Sequence, residues 1–270
     1  MAVLVLALLL VVSAEYVGPT GYWQGSESWT GLCAEGGLQS PLPLTSPQVI
    51  LQTERAFKQL RMDYGVDTVQ SHIEGAHFVV YGDFGTLTSV GADTVEDYVG
   101  TVDRVLVKAP AEHQIEGRTF DLEVQVYHRL QGADSSQVAL SVLYQVSEED
   151  SSDFLDSLIA SVATPTEIDL TKAFEGMLEL YHYFSYLGSE TTPPCQQFVQ
   201  WVVWAEVRPI SRAQLGFFSR LWQGNPNFAG GHGNNREQQE AKGREVLRYE
   251  GVLSDLNAAG TLALAALLLS

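Results

Sequence analysis

Five stretches of the chain set Val, Tyr, Phe and Thr in runs, several of them alternating with polar side chains and all bounded by turn residues. They are Ser71 to Gly82, Thr101 to Val107, Thr119 to Leu130, Gln137 to Val146 and Phe198 to Val207. A period of two sends successive side chains to opposite faces of a strand, so these stretches predict a mostly β architecture. Helical spacing is rarer. Phe154, Leu155, Leu158, Ile159 and Val162 form a helical stripe behind Ser151, Ser152 and Asp153 as caps, and Ser211 caps a second helical run after Pro209. No repeat, long low-complexity stretch or linker divides the interior, and the Gly/Asn-rich run Gly224 to Asn235 reads as an exposed loop. One domain is expected from about residue 15 to about 253.

The two ends follow neither period. Residues 1–12 are almost all Ala, Val and Leu, and Val12-Ser13-Ala14 matches the small-residue pattern before a signal-peptidase cut. Residues 1–14 therefore read as a secretory leader, although the n-region lacks Lys and Arg. The segment 254–270 is apolar and uncharged after Asp255. It is shorter than the roughly 20 apolar residues that span a bilayer. Two readings stay open: a GPI-type lipid-anchor signal with Gly251, Ser254 or Asn257 as attachment residue, or a buried or membrane-associated tail. These ends imply the secretory pathway, with the chain extracellular, on the outer face of the plasma membrane, or in an organelle lumen.

Charge narrows the partners. The 270 residues hold 15 Lys+Arg against 33 Asp+Glu, a net charge of −18, and all of it lies between Glu15 and Asp255. A surface of that sign cannot replace counterions on phosphates, so nucleic acid is excluded as a partner. Membrane contact is expected only through a lipid anchor. The apolar fraction of 45% excludes a disordered chain. On a secreted route the two cysteines, Cys33 and Cys195, pair as a disulfide or stay as buried thiols. No Asn-x-Ser/Thr sequon is present.

Short motifs then fall in a recognisable order. They include Tyr22-Trp23-Gln24-Gly25, Gln39-Ser40-Pro41-Leu42, Ala109-Pro110-Ala111-Glu112-His113, Asp121-Leu122-Glu123, and Gly188-Ser189-Glu190-Thr191-Thr192-Pro193-Pro194-Cys195 followed by Trp201. Pro209-Ile210-Ser211 and Asn235-Arg236 complete the set. In this the chain resembles the α-type carbonic anhydrases over nearly all of its mature length. The resemblance implies a large twisted, mainly antiparallel sheet with a conical pocket on one side. It also places Cys33 and Cys195 where extracellular members carry a disulfide.

Hydrating members of that family hold Zn²⁺ with three imidazoles and leave the fourth position to water, whose pKa falls to about 7. Carried onto this chain, the three ligand positions are Leu106, Lys108 and Gln125. Leu offers no lone pair, Gln is a weak neutral ligand, and Lys brings a positive charge to a cation's place. Zinc is therefore not expected, nor any other cofactor. The proton-shuttle position is Val66, and Arg104 replaces the Gln that supports the first ligand.

The surroundings keep more of the family pattern. Glu112 and Thr191 match the pair that orients zinc-bound hydroxide, and Thr192 matches the pocket threonine beside it. His113 matches a buried histidine with Glu123 and Tyr186 as expected partners. His72 and His77, five apart on one predicted strand, point to opposite faces; His128, His182 and His232 read as core or rim, strand and loop residues. A buried ammonium needs a partner, which makes Lys108 a candidate ion pair with Glu123 or Glu190; the alternative is a lysine snorkelling into a hydrated pocket. A relocated metal site built from Glu112, His113 and Glu190 is the competing arrangement.

The expected function is thus a catalytically inactive, carbonic anhydrase-like binding or structural module, secreted or surface-anchored, with a protein or small ligand not identified by sequence. The enzyme alternatives are carbon dioxide hydration at a non-standard metal site and weak metal-free ester hydrolysis at Thr191 and Glu112. A small-molecule carrier using the vacant cone is a third reading.

Overall fold

The computed structural model describes residues 29–251, apart from 47, 52, 75–76, 92–95, 133–135, 178–181 and 223–232. The leader, the 254–270 tail, the motif at Tyr22 to Gly25, His232 and most of the Gly224 to Asn235 loop lie outside the described residues.

Among the described residues eleven strands form one large sheet. Its main path runs Val49–Leu51, Leu247–Glu250, Tyr183–Ser189, Gln197–Ile210, Gln137–Val146, Leu122–Leu130, Glu96–Lys108, His77–Val80 and His72–Glu74. Strands Lys58–Tyr64 and Gly85–Gly91 pair with each other and hang from Glu96–Lys108. Two contacts are parallel, Gln137–Val146 with Gln197–Ile210 and Leu247–Glu250 with Val49–Leu51; the other pairings in the sheet are antiparallel.

The predicted runs fall on these strands with one correction. Ser71 to Gly82 is two strands of a hairpin, His72–Glu74 and His77–Val80, so His72 and His77 do not share a strand. His182 precedes its strand and pairs with Glu206 at 3.0 Å. The helices occupy Asp153–Ala160 and Arg212–Trp222. The Ser152 hydroxyl accepts from the Leu155 amide, and the Ser211 hydroxyl accepts from the Gln214 amide, each satisfying an N-terminal donor that the helix cannot satisfy itself.

Alternation decides what each face buries. On one face Val105, Val107, Val124, Val126, Leu140 and Val142 meet Phe154, Leu155, Leu158 and Phe218 in the main core. The opposite face is buried as well: Leu122 to His128 are all inaccessible. There Leu106, Tyr127, Ala139, Leu143, Trp201 and Val203 form a second apolar cluster. Lys108, Glu123, Gln125 and Ser141, all at 0% exposure, are set into that second face. A buried face carrying two charges and two polar groups is the anomaly that any account of the fold has to explain.

A disulfide joins Cys33 to Cys195 across 162 positions of sequence. It ties the short helix Leu32–Glu35 to the segment that follows Tyr183–Ser189. The same segment is fixed by Ser40 and Ser189, whose amides each donate to the other's hydroxyl at 3.0 Å. Gly188 makes this approach feasible, because a Cβ there would stand 2.1 Å from the Ser40 hydroxyl. These ties hold Glu190, Thr191 and Thr192 over the polar face.

Candidate functional site

Register builds the floor. Glu123 lies directly opposite Lys108, and Gln125 opposite Leu106, between the antiparallel strands Leu122–Leu130 and Glu96–Lys108. Residues two apart on a strand share a face, so Leu106, Lys108 and Gln125 converge on one patch, with Arg104 and Tyr127 one step towards its rim.

Lys108 is fully buried, and its ammonium donates to Glu112 Oε1 at 2.9 Å and to the Asn234 carbonyl at 3.3 Å. Its partner is therefore Glu112, rather than Glu123 or Glu190. The reason lies in how those other carboxylates are held. Glu123 Oε2 accepts the backbone amides of Glu112 and His113, both at 2.8 Å. Glu123 Oε1 accepts from Ser141 at 2.8 Å and Gln125 at 2.9 Å and bonds His113 Nδ1 at 2.7 Å. Burial alone would raise the Glu123 pKa; the charge and hydrogen bonds of His113, its amide and the Gln125 amide override that and lower it. Glu190 is held at the rim by Arg104 at 2.6 Å and by Gln137 at 3.0 Å.

Glu112 has two further donors. Oε1 also accepts the Arg236 amide at 2.9 Å, and Oε2 accepts Gln125 Nε2 at 2.7 Å. The Thr191 hydroxyl is buried without a hydrogen bond to Glu112 and lies beside the Tyr127 hydroxyl. The expected Glu112–Thr191 pair is thus not formed; the carboxylate accepts instead from Lys108, Gln125 and the Arg236 amide. Thr192 lies next to it, buried.

His113 sits between Glu123 and the Tyr186 hydroxyl, the latter at 2.8 Å from Nε2. Both ring nitrogens are engaged, and Glu190 faces Arg104, so Glu112, His113 and Glu190 are not brought together as a metal site. Val66 is 51% exposed on the strand Val66–Val69 and offers no group that could carry a proton.

Sequence reasoning treated Arg104 only as a lost glutamine. Its guanidinium stacks 4.2 Å from the Tyr127 ring centroid and also pairs with Asp103 at 2.6 Å. His77, on the strand beside Leu106, is half-buried and kept neutral: desolvation of the ring, with Lys108 and Arg104 nearby, lowers its pKa to about 3. Asn234 was also missed. Its side chain bonds the Ala109 amide and the Val107 carbonyl, both at 2.9 Å, clamping the strand end that carries Lys108. A lone Asn in a Gly/Asn-rich loop carries no sequence signal for that clamp.

A zinc ion does not fit these residues. One ligand position is a hydrocarbon in the apolar cluster, one is an ammonium already paired, and one is a neutral amide, a weak ligand, whose oxygen accepts from the Tyr127 hydroxyl at 3.3 Å. Among the described residues no three His, Cys, Asp or Glu side chains are grouped to hold a metal ion.

A large mixed sheet with this floor, the Cys33–Cys195 tie and the Glu190 to Cys195 segment laid over it defines a carbonic anhydrase-like protein. A family profile described as eukaryotic-type carbonic anhydrase matches residues 22–250, and the chain belongs to that family. Dioscorin dioA3 of Dioscorea japonica is 26% identical over 263 residues, covering 93% of this chain and 92% of the relative. Alpha carbonic anhydrase 4 of Arabidopsis thaliana is 28% identical over 242 residues, covering 86% and 82%. Among solved structures, dioscorin complexed with ascorbate superposes with a TM-score of 0.68 at 24% identity, covering 87% of this chain and 95% of that one. The Photobacterium profundum α-carbonic anhydrase gives 0.63 at 23% identity, covering 80% and 91%.

Proposed function

We propose that this chain is a zinc-free, non-hydrating member of the carbonic anhydrase family that acts as a binding or structural module. One observation carries the reading: the ammonium of Lys108 is hydrogen-bonded to Glu112 on the patch where the family resemblance puts the metal. A fixed positive charge there repels a dication, and the donors that would replace the imidazoles are absent or spent.

We place the module in the secretory pathway, outside the cell or on its outer face, on the strength of the leader-like residues 1–14 and the apolar 254–270 segment. A disulfide is compatible with that route. The net charge of −18 favours a partner with basic patches over a sulfated glycan.

Two measurements test the proposal. Stopped-flow hydration of carbon dioxide is expected to match the uncatalysed rate with and without added zinc. Capture with the mature chain as bait is expected to enrich proteins released by moderate salt. Catalysed hydration at either zinc level would refute the inactive reading.

A further inference from the structure

The face of the sheet opposite the polar floor carries a second concavity that takes no part in the reading above. Strands Lys58–Tyr64 and Gly85–Gly91 roll back over the sheet until the Tyr183 hydroxyl donates to the Lys58 carbonyl. Between this arm and strands Tyr183–Ser189, Gln197–Ile210 and Leu247–Glu250 lies a cleft of about 340 Å³. We propose that this cleft is a binding site for a small, uncharged aromatic molecule of one or two rings bearing an N–H or O–H donor, the chemistry of indole.

Three features select that class. The walls are flat and apolar: Leu60, Val202 and Leu247 with the rings of Tyr98, Tyr183 and Tyr249, the last two stacked at 4.7 Å. The volume lies near the lower end of small-molecule pockets, roughly 300 to 1,000 Å³, which limits the occupant to one or two rings.

The polar lining supplies an acceptor. Gln200 Nε2 donates to the Ser185 hydroxyl at 2.8 Å, and that hydroxyl donates to the Trp201 carbonyl at 2.8 Å. That bond uses one of the two N–H groups of the amide, and the carbonyl oxygen of Gln200 stands beside it as an acceptor for a ligand. A donor on the ligand answers it. Lys58 and Glu245 both line the cleft with opposite charges, and the −18 of the whole chain disfavours an anion.

The test titrates the full-length protein with indole and with naphthalene, a planar hydrocarbon without a donor, by ligand-observed NMR. Saturable binding of both is expected. Gln200→Leu is expected to weaken indole about fivefold to tenfold, the loss of one neutral hydrogen bond, and to leave naphthalene unchanged. Leu187→Trp lies on the lip at 41% exposure, where the change does not endanger folding, and Leu247→Trp narrows the slot from the sheet side; each is expected to weaken both probes more than tenfold. Absence of saturable binding, equal effects of Gln200→Leu on the two probes, or wild-type affinity in both Trp variants would overturn the proposal. Sedimentation showing a dimer that excludes indole would assign the cleft to a second copy and overturn it too.

Discussion

Replacing Lys108 by Met removes the ammonium from the floor and leaves the Glu112 carboxylate buried. Removing one partner of a buried pair costs about 3 to 5 kcal/mol, because the remaining charge is left uncompensated. Glu112 keeps two donors, the Arg236 amide at 2.9 Å and Gln125 Nε2 at 2.7 Å. We therefore place Lys108→Met at the low end, about 3 kcal/mol, or about 6 to 12 °C in Tm for a domain of this size. Glu112→Gln carries a similar cost, since its amide nitrogen must face the donors of Lys108, Gln125 or Arg236. The double variant removes both charges, so its loss falls short of the sum by about 2 kcal/mol or more. Equilibrium urea unfolding of the wild type, both single variants and the double variant gives this coupling directly, provided m is constant across the four. A neutral or stabilising Lys108→Met, or a coupling near zero, refutes the pairing.

Four other outcomes follow from the structure. His128 bonds the Val138 carbonyl at 3.1 Å and the Tyr64 hydroxyl at 2.7 Å, and burial lowers its pKa to about 4 from 6.5. Below pH 6.5 the unfolded chain takes up a proton that the folded chain refuses, so His128 costs about 3 kcal/mol of stability between pH 6.5 and 4; urea midpoints against pH should flatten in His128→Gln. Glu123, whose pKa is lowered, adds stability that is present above about pH 4.5 and lost on further acidification, a loss that Glu123→Gln should abolish in the same titration. Reducing the Cys33–Cys195 bond opens a loop of 162 positions, and chain entropy sets the loss at up to about 5 kcal/mol, read as the shift in urea midpoint with and without reductant. Finally, Leu106→His, Lys108→His and Gln125→His combined should bind one zinc per chain in calorimetry, while Leu106→His alone should not, because Lys108 remains.

The strand pattern was legible because a short run of Val, Leu and Tyr bounded by polar residues is a local signal, as in Gln137–Val146, whose bounds match the structure. Lys58–Tyr64 alternates strictly, Leu60, Met62 and Tyr64 against Arg61 and Asp63, and escaped notice because it holds none of the β-branched residues that mark the other strands. Counting along motifs identified Lys108 as a buried cation in need of a partner. Choosing that partner failed for a physical reason: Glu123 stands directly opposite Lys108, yet two backbone amides, Ser141 and His113 turn its carboxylate away. Glu190 is claimed by Arg104, which lies on another strand 86 positions away. Side-chain direction of this kind depends on contacts remote in sequence, and so does the Asn234 clamp on Ala109, 125 positions off.

Elemental analysis of the purified, full-length protein tests the central claim most directly. After dialysis against zinc at physiological pH and removal of free metal, the protein is expected to retain far less than one zinc per chain. Stoichiometric zinc, released by chelation together with any hydration activity, would contradict an ammonium seated where the metal should be.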